Sequence, residues 1–269
     1  MSIVHEVAME IVNVLHSEAF PEPTESTWKV SAEQFNRFHD YPAAVAALDG
    51  KHVECVCPYN SGSTYYNYKG FYSFVLLALV DANYRCIMYD LGAPGRSSDA
   101  GIFSTSEMKE YLEDHFKDFP PPVQLGNIGK VDYHILVDQG FRQTTRFIRP
   151  FNKVDAMRDA RCAYFNYKMS RARRVVENFF GILSSRFRLL LTPIYSDPRH
   201  AKTITLAIMI LHNLLVNEIG KDAVIERFGT GMYDEDDEDR PALPGNIAAD
   251  AKRAREIVMR YFSSRDGVR

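Results

Sequence analysis

Two aspartates stand at the ends of apolar runs, where a charge is costly to bury. Asp49 closes the run AAVAAL and is followed by Gly50, and Asp138 closes YHILV with Gly140 two positions later. Two carboxylates on neighbouring strands repel each other, which raises the pKa of one of them. Burial adds the cost of removing the charged carboxylates from water. A divalent cation removes this conflict, because hard oxygen ligands suit Mg²⁺ or Mn²⁺. The pair predicts a metal site, although each aspartate taken singly is also explained as the start of a turn.

A third acid, Glu177, lies between apolar residues in the segment RARRVVENFFG. Arg173 and Arg174 precede it by four and three residues, so an ordinary ion pair within a helix explains Glu177 when it is taken alone. Taken with the two aspartates, the order is strand, strand, helix. That order is typical of an RNase H-like fold that carries a DDE triad.

The elements that must position these acids follow from hydrophobic periodicity and breakers. Strands are predicted at 43–48, 52–56, 71–80, 84–92 and 133–137, with a turn at 81–83 and burial of 133–137 on both faces. Helices are predicted at 3–16, through AEQFNRF, and at 97–116, 155–170, 170–184, 200–219 and 247–262. Thr27 or Ser31 is the expected cap of the helix through AEQFNRF, and Ser97 or Ser98 is the expected cap of the helix at 97–116. We therefore expect an α/β (mixed) fold, with a mixed central sheet flanked by helices. The chain lacks the regular βαβ alternation and the glycine-rich phosphate loops of nucleotide-binding folds.

Charge is distributed unevenly along a chain whose formal net charge is only −3. Residues 140–190 contain twelve Lys or Arg and three acids, which favours a surface that faces a polyanion or, more simply, a solvated face. Residues 234–239 are six consecutive acids and predict a solvated loop.

Cysteines and apolar stretches indicate the compartment. Cys55 and Cys57 are one residue apart, a spacing that fits neither a zinc knuckle nor a thioredoxin motif, so reduced and buried thiols are expected. The N-terminus lacks the features of a signal peptide, and the apolar stretch 203–216 is too short to span a membrane. The sequence predicts a soluble intracellular protein that does not bind membranes.

Several long blocks resemble the PIF/Harbinger transposases and the nucleases derived from them. The blocks run in the family's order from about Trp28 to Asn217 and read LDGKHV, SGSTYYNYKGFYSFVLLALVDANY, YDLGAPGRSSDAGIFSTS, LVDQGF, ARCAYFNYKMSRARRVVENFFGILSSRFRLL and ILHNLL. The one departure in the second acid motif is Phe141, where the family commonly has tyrosine.

The resemblance implies a DNA endonuclease with a two-metal mechanism. It implies catalytic and metal-binding roles for Asp49, Asp138 and Glu177, with Asp49 shared between two Mg²⁺ or Mn²⁺ ions. Asp99, in GRSSDAGIF, matches a further acid that is counted among the metal ligands, but capping a helix explains it equally well. The basic residues that could follow the DNA backbone are Arg142, Arg146, Arg149, Lys168, Arg171, Arg173, Arg174 and Arg186.

The resemblance also implies partners and a domain plan. We expect a helical remnant at 1–42, the RNase H-like DDE nuclease domain at 43–219, and an acidic loop with a C-terminal helix at 220–269. The implied partners are DNA and a Myb-like DNA-binding protein, and an oligomer is left open. The implied location is the nucleus, with the cytoplasm as the alternative.

Alternatives remain at the level of function. The chain could be a domesticated, non-catalytic DNA-binding or scaffold protein that retains the transposase fold. A phosphatase with an aspartate nucleophile is less consistent, because that class needs a paired acid where DGKH supplies one. His52 is either a group that orients Asp49 or an ordinary strand histidine.

Overall fold

The structure is a computed structural model that describes residues 3–229 and 246–268. Its α-helices are α1 (Ile3–Ala19), α2 (Glu25–His39), α3 (Asp99–Ser104), α4 (Glu107–His115), α5 (Lys153–Arg158), α6 (Ala160–Arg186), α7 (Pro198–Phe228) and α8 (Ala249–Asp266). Its strands are β1 (Ala44–Glu54), β2 (Ser73–Val80), β3 (Cys86–Pro94), β4 (Val123–Leu125), β5 (Gly129–Val131), β6 (His134–Leu136) and β7 (Phe147–Ile148).

Five of these strands form a mixed sheet in the order β3-β2-β1-β6-β7. β2 and β3 are antiparallel, whereas β6 is parallel to both β1 and β7. Every residue of β2 is buried, as expected for a strand that other elements cover on both faces. The prediction of a mixed α/β fold with a central sheet flanked by helices is confirmed.

The chain divides into two compact units, each made of segments that are distant in sequence. Within the described residues, the first comprises 3–22, 49–113 and 176–229, and the second comprises 23–48, 114–175 and 246–268. The division into 1–42, 43–219 and 220–269 stays a prediction. The acidic run at 234–239 lies outside the described residues.

In the first unit, α7 lies against α1 and β3 and supplies the polar groups that join them. Asn213 Nδ2 donates to the carbonyls of Ala19 and Cys86, and its Oδ1 accepts from the Cys86 N–H at 3.0 Å. His212 Nε2 bonds the Tyr84 carbonyl at 2.7 Å. The polar pair in ILHNLL therefore holds the core of this unit together.

α7 is also the helix that, among the described residues, is long and apolar enough by composition to cross a membrane. Its buried Thr205, His212 and Asn213 are hydrogen-bonded to protein groups, as in the core helix of a globular unit. Gly220 has φ 76° and ψ 162°, so the helix breaks there, close to the predicted end at 219.

In the second unit, aromatic rings from different segments meet in one cluster. Tyr41 packs edge-on against His134, Phe165 and Phe262, with ring centroids 5.3 to 6.4 Å apart. Ser31 of α2 donates to the Val45 carbonyl of β1 at 2.6 Å. α8 thus belongs to the core of this unit, because Phe262 is fully buried.

Several helix boundaries differ from the prediction. The helix expected at 97–116 is two helices, because the chain turns at Thr105 and Ser106, whose hydroxyl accepts the N–H of Lys109. The helices expected at 155–170 and 170–184 are instead the short α5 and the continuous α6, which separate at Asp159. The boundary moved because Asp159 is extended and its side chain accepts the N–H of Arg161, which starts α6.

The cap of α2 and the exposure of one thiol differ from the prediction. Thr24 caps α2 in a reciprocal pair with Thr27, so Thr27 is the third helical residue and not the cap. All four cysteines are free, and Cys57 is exposed because β1 has ended before it.

Candidate active site

Asp49 lies on β1 where the buried part of the strand ends. Residues 44–48 are buried and Asp49 is half-buried. Its Oδ1 accepts the N–H of Gly50 at 2.9 Å, which fixes the carboxylate close to its own backbone. The charge is thus held at the point where the strand leaves the core.

Gly50 is required by a contact with Asp99. A Cβ built on Gly50 would overlap the Asp99 carboxylate, so only glycine leaves room for it. Because successive residues on a strand face opposite sides, Asp99 lies on the side of β1 opposite to the Cβ of Asp49. Asp99 is 7% exposed, and the cap of α3 is Ser98, whose hydroxyl accepts from Gly101 N–H at 3.2 Å. Capping therefore does not explain Asp99, and its role as a metal ligand stays a prediction.

Asp138 follows β6 and is held in the same manner as Asp49. Its Oδ1 accepts the N–H of Gly140 at 2.9 Å, and a Cβ on Gly140 would lie 3.1 Å from that oxygen. Asp138 is 7% exposed and Arg149 lies within electrostatic reach. These contacts are also those of a simple turn, so the turn interpretation and the metal interpretation both remain compatible with the geometry.

The strand register relates the two aspartates. β1 and β6 are parallel, and the last paired residues are Ala47 and Leu136. Asp49 and Asp138 each come two positions after these residues. The sequence prediction that Asp138 comes at the end of its strand is therefore confirmed, whereas β1 continues past Asp49 to Glu54, so the strands expected at 43–48 and 52–56 are one strand and Asp49 lies within it.

Glu177 lies on α6 and is half-buried. One turn further along the helix, the Phe180 ring lies 5.9 Å from the ammonium group of Lys51 on β1. Lys51 is two residues beyond Asp49 and so shares its side of the strand. The helix segment that carries Glu177 therefore runs over the side of β1 that carries Asp49.

The chemistry of the candidate acids fits a metal site better than their arrangement does. The carboxylates of these acids are hard oxygen donors of the kind that Mg²⁺ prefers. Within the described part of the chain, however, no three His, Cys, Asp or Glu side chains are gathered in a group that could hold a metal ion. Catalytic and metal-binding roles of Asp49, Asp138 and Glu177 therefore stay predictions.

A buried polar network beside β1 was not predicted from the sequence. Asn67, only 3% exposed, donates to the Ser73 hydroxyl at 2.8 Å, and that hydroxyl also contacts His52 Nδ1 at 2.9 Å. The Asn67 Oδ1 accepts hydrogen bonds from the backbone N–H groups of Lys69 and Phe71. These bonds fix the loop that leads into β2. His52 thus has a structural partner on β2. The only sequence signal for this network was the polar run before β2.

Several of the basic residues predicted to face DNA have structural partners instead. Arg149 is 7% exposed and its Nη1 donates to the carbonyls of Gln139 and Phe141 at 3.0 Å. Lys168 is 4% exposed and pairs with Asp40, and Arg173 is buried as well. Burial separates Lys168 and Arg173 from a phosphate backbone, because the hydrophobic spacing of α6 turns both inwards, whereas Arg149 lines a polar cavity.

The remaining basic residues are more accessible. Arg142 and Arg171 are exposed, and Arg174 is half-buried. Arg146 donates to the Tyr133 carbonyl at 3.0 Å, and Arg186 lies over the Phe228 ring at 5.1 Å. The predicted DNA contacts remain predictions, and Arg142 and Arg171 are the members of the set with the greatest access to solvent.

The fold is consistent with the DDE class of nucleases: a mixed five-stranded sheet is flanked by helices, with one acid on β1 and one directly after β6. A family model described as DDE superfamily endonuclease matches residues 48–213, which is more than half of the chain. The chain therefore belongs to the DDE superfamily endonuclease family. Searches of curated proteins and of solved structures found no match.

Proposed function

We propose that this protein is a divalent-metal-dependent DNA endonuclease of the Harbinger transposase-derived type. The observation that carries the proposal is the family match, because residues 48–213 include all four candidate acids. Harbinger type is supported by the blocks LDGKHV, LVDQGF and VVENFFG, which resemble that branch of the family.

We assign the catalytic roles to Asp49, Asp138 and Glu177. The match to the DDE superfamily endonuclease family spans all three acids and is what supports this assignment. The contact between Lys51 and Phe180 supports a position of Glu177 over β1. Asp99 is proposed as a further acid that adds negative potential from behind Gly50.

The chain's own groups prepare the acids for cation binding. The N–H groups of Gly50 and Gly140 hold one oxygen of each aspartate, which fixes the orientation of the carboxylates before a cation arrives. Exposed Arg142 and Arg171 then neutralise backbone phosphates. When bound, divalent cations supply Lewis-acid activation of the nucleophile and stabilise the leaving oxygen.

The proposal is tested by DNA nicking with Mg²⁺ or Mn²⁺ and the variant Asp138→Asn. Asparagine keeps the shape and the acceptor for Gly140 but removes the charge, so we expect nicking to fall about 100-fold or more. The measurement is single-turnover conversion of supercoiled plasmid to the open circle.

The matched control is Asp132→Asn, six residues upstream. Asp132 is a candidate for no catalytic role and lies 3.7 Å from Arg146, a distance typical of a weak ion pair. This variant should nick at the rate of the parent protein. Equal rates for the parent, Asp138→Asn and Asp132→Asn would contradict the proposal.

A second candidate function is a domesticated DNA-binding or scaffold protein without catalysis. It is favoured by the lack of a group of three metal-binding side chains among the described residues. This function predicts that the parent and Asp138→Asn bind DNA equally and that neither nicks it. We further propose a Myb-like DNA-binding partner and a nuclear location on the basis of the family resemblance alone.

A further inference from the structure

A polar cavity in the second unit is lined by two arginines that are unusually well buried. Its volume is about 260 Å³, and its lining includes Arg149, Lys252 and Arg255. Arg149 and Arg255 are each 7% exposed. All of the lining lies within the second unit, and Lys252 and Arg255 come from α8.

The guanidinium groups of both arginines donate to carbonyl oxygens. Arg149 Nη1 donates to Gln139 and Phe141, and Arg255 Nη1 donates to the carbonyls of Arg149 and Pro150 at 3.3 and 3.0 Å. Carbonyls satisfy the N–H groups but do not neutralise the charge, so the cost of burying two cations remains. The fold nevertheless places the Arg149 and Arg255 guanidinium groups at the same cavity.

Part of the hydrogen-bonding capacity of Arg255 is unused. Its guanidinium lies 3.9 Å above the Phe151 ring, and its buried Nε has no hydrogen-bond partner in the described part of the chain. This Nε has almost no solvent-accessible surface, so its unmet donor adds to the cost of keeping the Arg255 charge buried at this place. The pKa of Arg255 is lowered to about 10, mainly by burial and secondly by repulsion from Arg149. Arg255 is therefore charged at neutral pH.

The start of α8 adds a second source of positive potential. Ala248 is the N-cap of this 18-residue helix and offers no side-chain hydrogen bond to the first turn. Ile247, just before the helix, lines the cavity together with Lys252 of the first turn. The Asp250 carboxylate accepts the N–H of Ala251 and the Ala248 carbonyl accepts that of Lys252, so the helix start contributes its macrodipole rather than a row of free donors.

Acidic groups that line the cavity are fewer than the cations that line it. Asp155 and Glu256 also line it, and Asp138 lies within electrostatic reach of Arg149. Three cations and a helix start therefore face two lining carboxylates. The volume has room for on the order of eight water molecules, which is enough for a tetrahedral oxyanion with some water.

We propose that the cavity lined by Arg149, Lys252 and Arg255 is a binding site for a phosphate group. Arginine guanidinium groups match the geometry of phosphate oxygens, and Lys252 supplies an additional charge at the exposed rim. The phosphate is either one group of a nucleic acid backbone or a free phosphate ion. The proposal does not depend on catalysis.

Binding is tested with inorganic phosphate and the full-length chain by isothermal titration calorimetry, without divalent metal and at constant ionic strength set with chloride. The variant is Lys252→Gln, because Lys252 is exposed and its loss should not affect folding. We expect saturable binding in the parent and an affinity lower by about fivefold in the variant. The matched control is Arg253→Gln, the next residue, which is exposed but does not line this cavity.

The control should bind phosphate with nearly the affinity of the parent. A lack of saturable phosphate binding, or equal losses in Lys252→Gln and Arg253→Gln, would overturn the proposal. A short DNA duplex then identifies the source: displacement of bound phosphate by the duplex indicates a backbone phosphate, and retention indicates a free ion. Because no cleavage is measured, failure of this site leaves the proposed nuclease untouched.

Discussion

Two glycines explain how the chain holds a charge at the end of an apolar run. Gly50 and Gly140 each donate a backbone N–H to the preceding aspartate, and each lies against a carboxylate that a side chain would crowd. In the sequence, each aspartate taken singly could also be explained as the start of a turn, but Gly50 lies within β1. The structure adds a steric reason for glycine, which at Gly50 involves Asp99, a residue far along the chain.

At the residue scale, we predict that Gly50→Ala destabilises the protein through Asp99. The added Cβ overlaps the buried Asp99 carboxylate, and relief by displacement of the strand or the carboxylate costs about 1–3 kcal/mol. Urea unfolding measures the loss. Nicking activity should fall in parallel, because Asp49 is the adjacent residue.

The double variant Gly50→Ala/Asp99→Ala separates this clash from other effects. Once the carboxylate is absent, the methyl group should cost much less than it does in the parent, and the two substitutions should not be additive. Gly101→Ala is the control, because a Cβ there would meet only the Ser98 hydroxyl, at 3.0 Å. Full additivity of the two substitutions would show that Asp99 does not limit position 50.

At the scale of elements, Asp40 joins three helices of the second unit. It caps the C-terminus of α2 with φ 51°, a left-handed conformation that aspartate tolerates. Its carboxylate pairs with Lys168 of α6 and accepts from Arg265 of α8 at 2.6 and 2.7 Å. Burial by itself raises the pKa of Asp40, but the hydrogen bonds from Arg265 and Lys168 outweigh it and lower the pKa.

We predict that Asp40→Asn destabilises this helix junction by about 2 kcal/mol. Lys168 is 4% exposed and would keep a buried charge without its carboxylate, although the half-exposed Asp40 side chain makes the loss smaller than for a fully buried pair. Thermal unfolding of the full chain provides the measurement.

The control for this junction is Asp159→Asn. Asp159 pairs with Arg161 at 2.7 Å, but Arg161 is exposed, and asparagine can still accept the N–H that starts α6. We expect a change within about 0.5 kcal/mol. A loss at Asp40 no larger than the loss at Asp159 would contradict the assigned role of Asp40.

At the scale of the whole molecule, each unit contains a buried neutral histidine. Burial lowers the pKa of His134 and His212 to about 4, and each ring bonds one backbone carbonyl while its other nitrogen has no partner in the described part of the chain. In the unfolded chain such groups titrate near pH 6.5. Between about pH 6.5 and 4 the unfolded state therefore binds more protons than the folded state.

We predict that the free energy of unfolding falls as the pH is lowered through this window, by up to about 3 kcal/mol for each histidine. Asp81 opposes this trend below pH 6, because burial raises its pKa to about 6 and protonation then favours the folded state. Urea unfolding at several pH values measures the slope. The slope of the unfolding free energy against pH should be smaller in His212→Gln by about 1.4 kcal/mol per pH unit. It should be smaller still in the double variant that also carries His134→Gln. An unchanged slope in both would show that neither ring is neutral in the folded protein.

Much of this architecture is visible in the sequence because local chemistry sets it. Alternation, apolar runs and breakers predicted the antiparallel β2–β3 pair with its turn at 81–83, and the apolar run before Asp138 predicted β6. Helix ends were less accurate, since the separation of α3 from α4 depends on where single hydroxyl groups find backbone partners.

By itself, the sequence determined the fold class, the family and the position of Asp138 at the end of its strand. Only the tertiary structure decided which charges are buried and which residues meet. Asp40 and Arg265 pair across 225 positions, and Arg149 and Arg255 share one cavity, although nothing in their local sequences predicts either contact. The physical reason is that burial and pairing depend on distant segments, whereas strand and helix formation depend on neighbours along the chain.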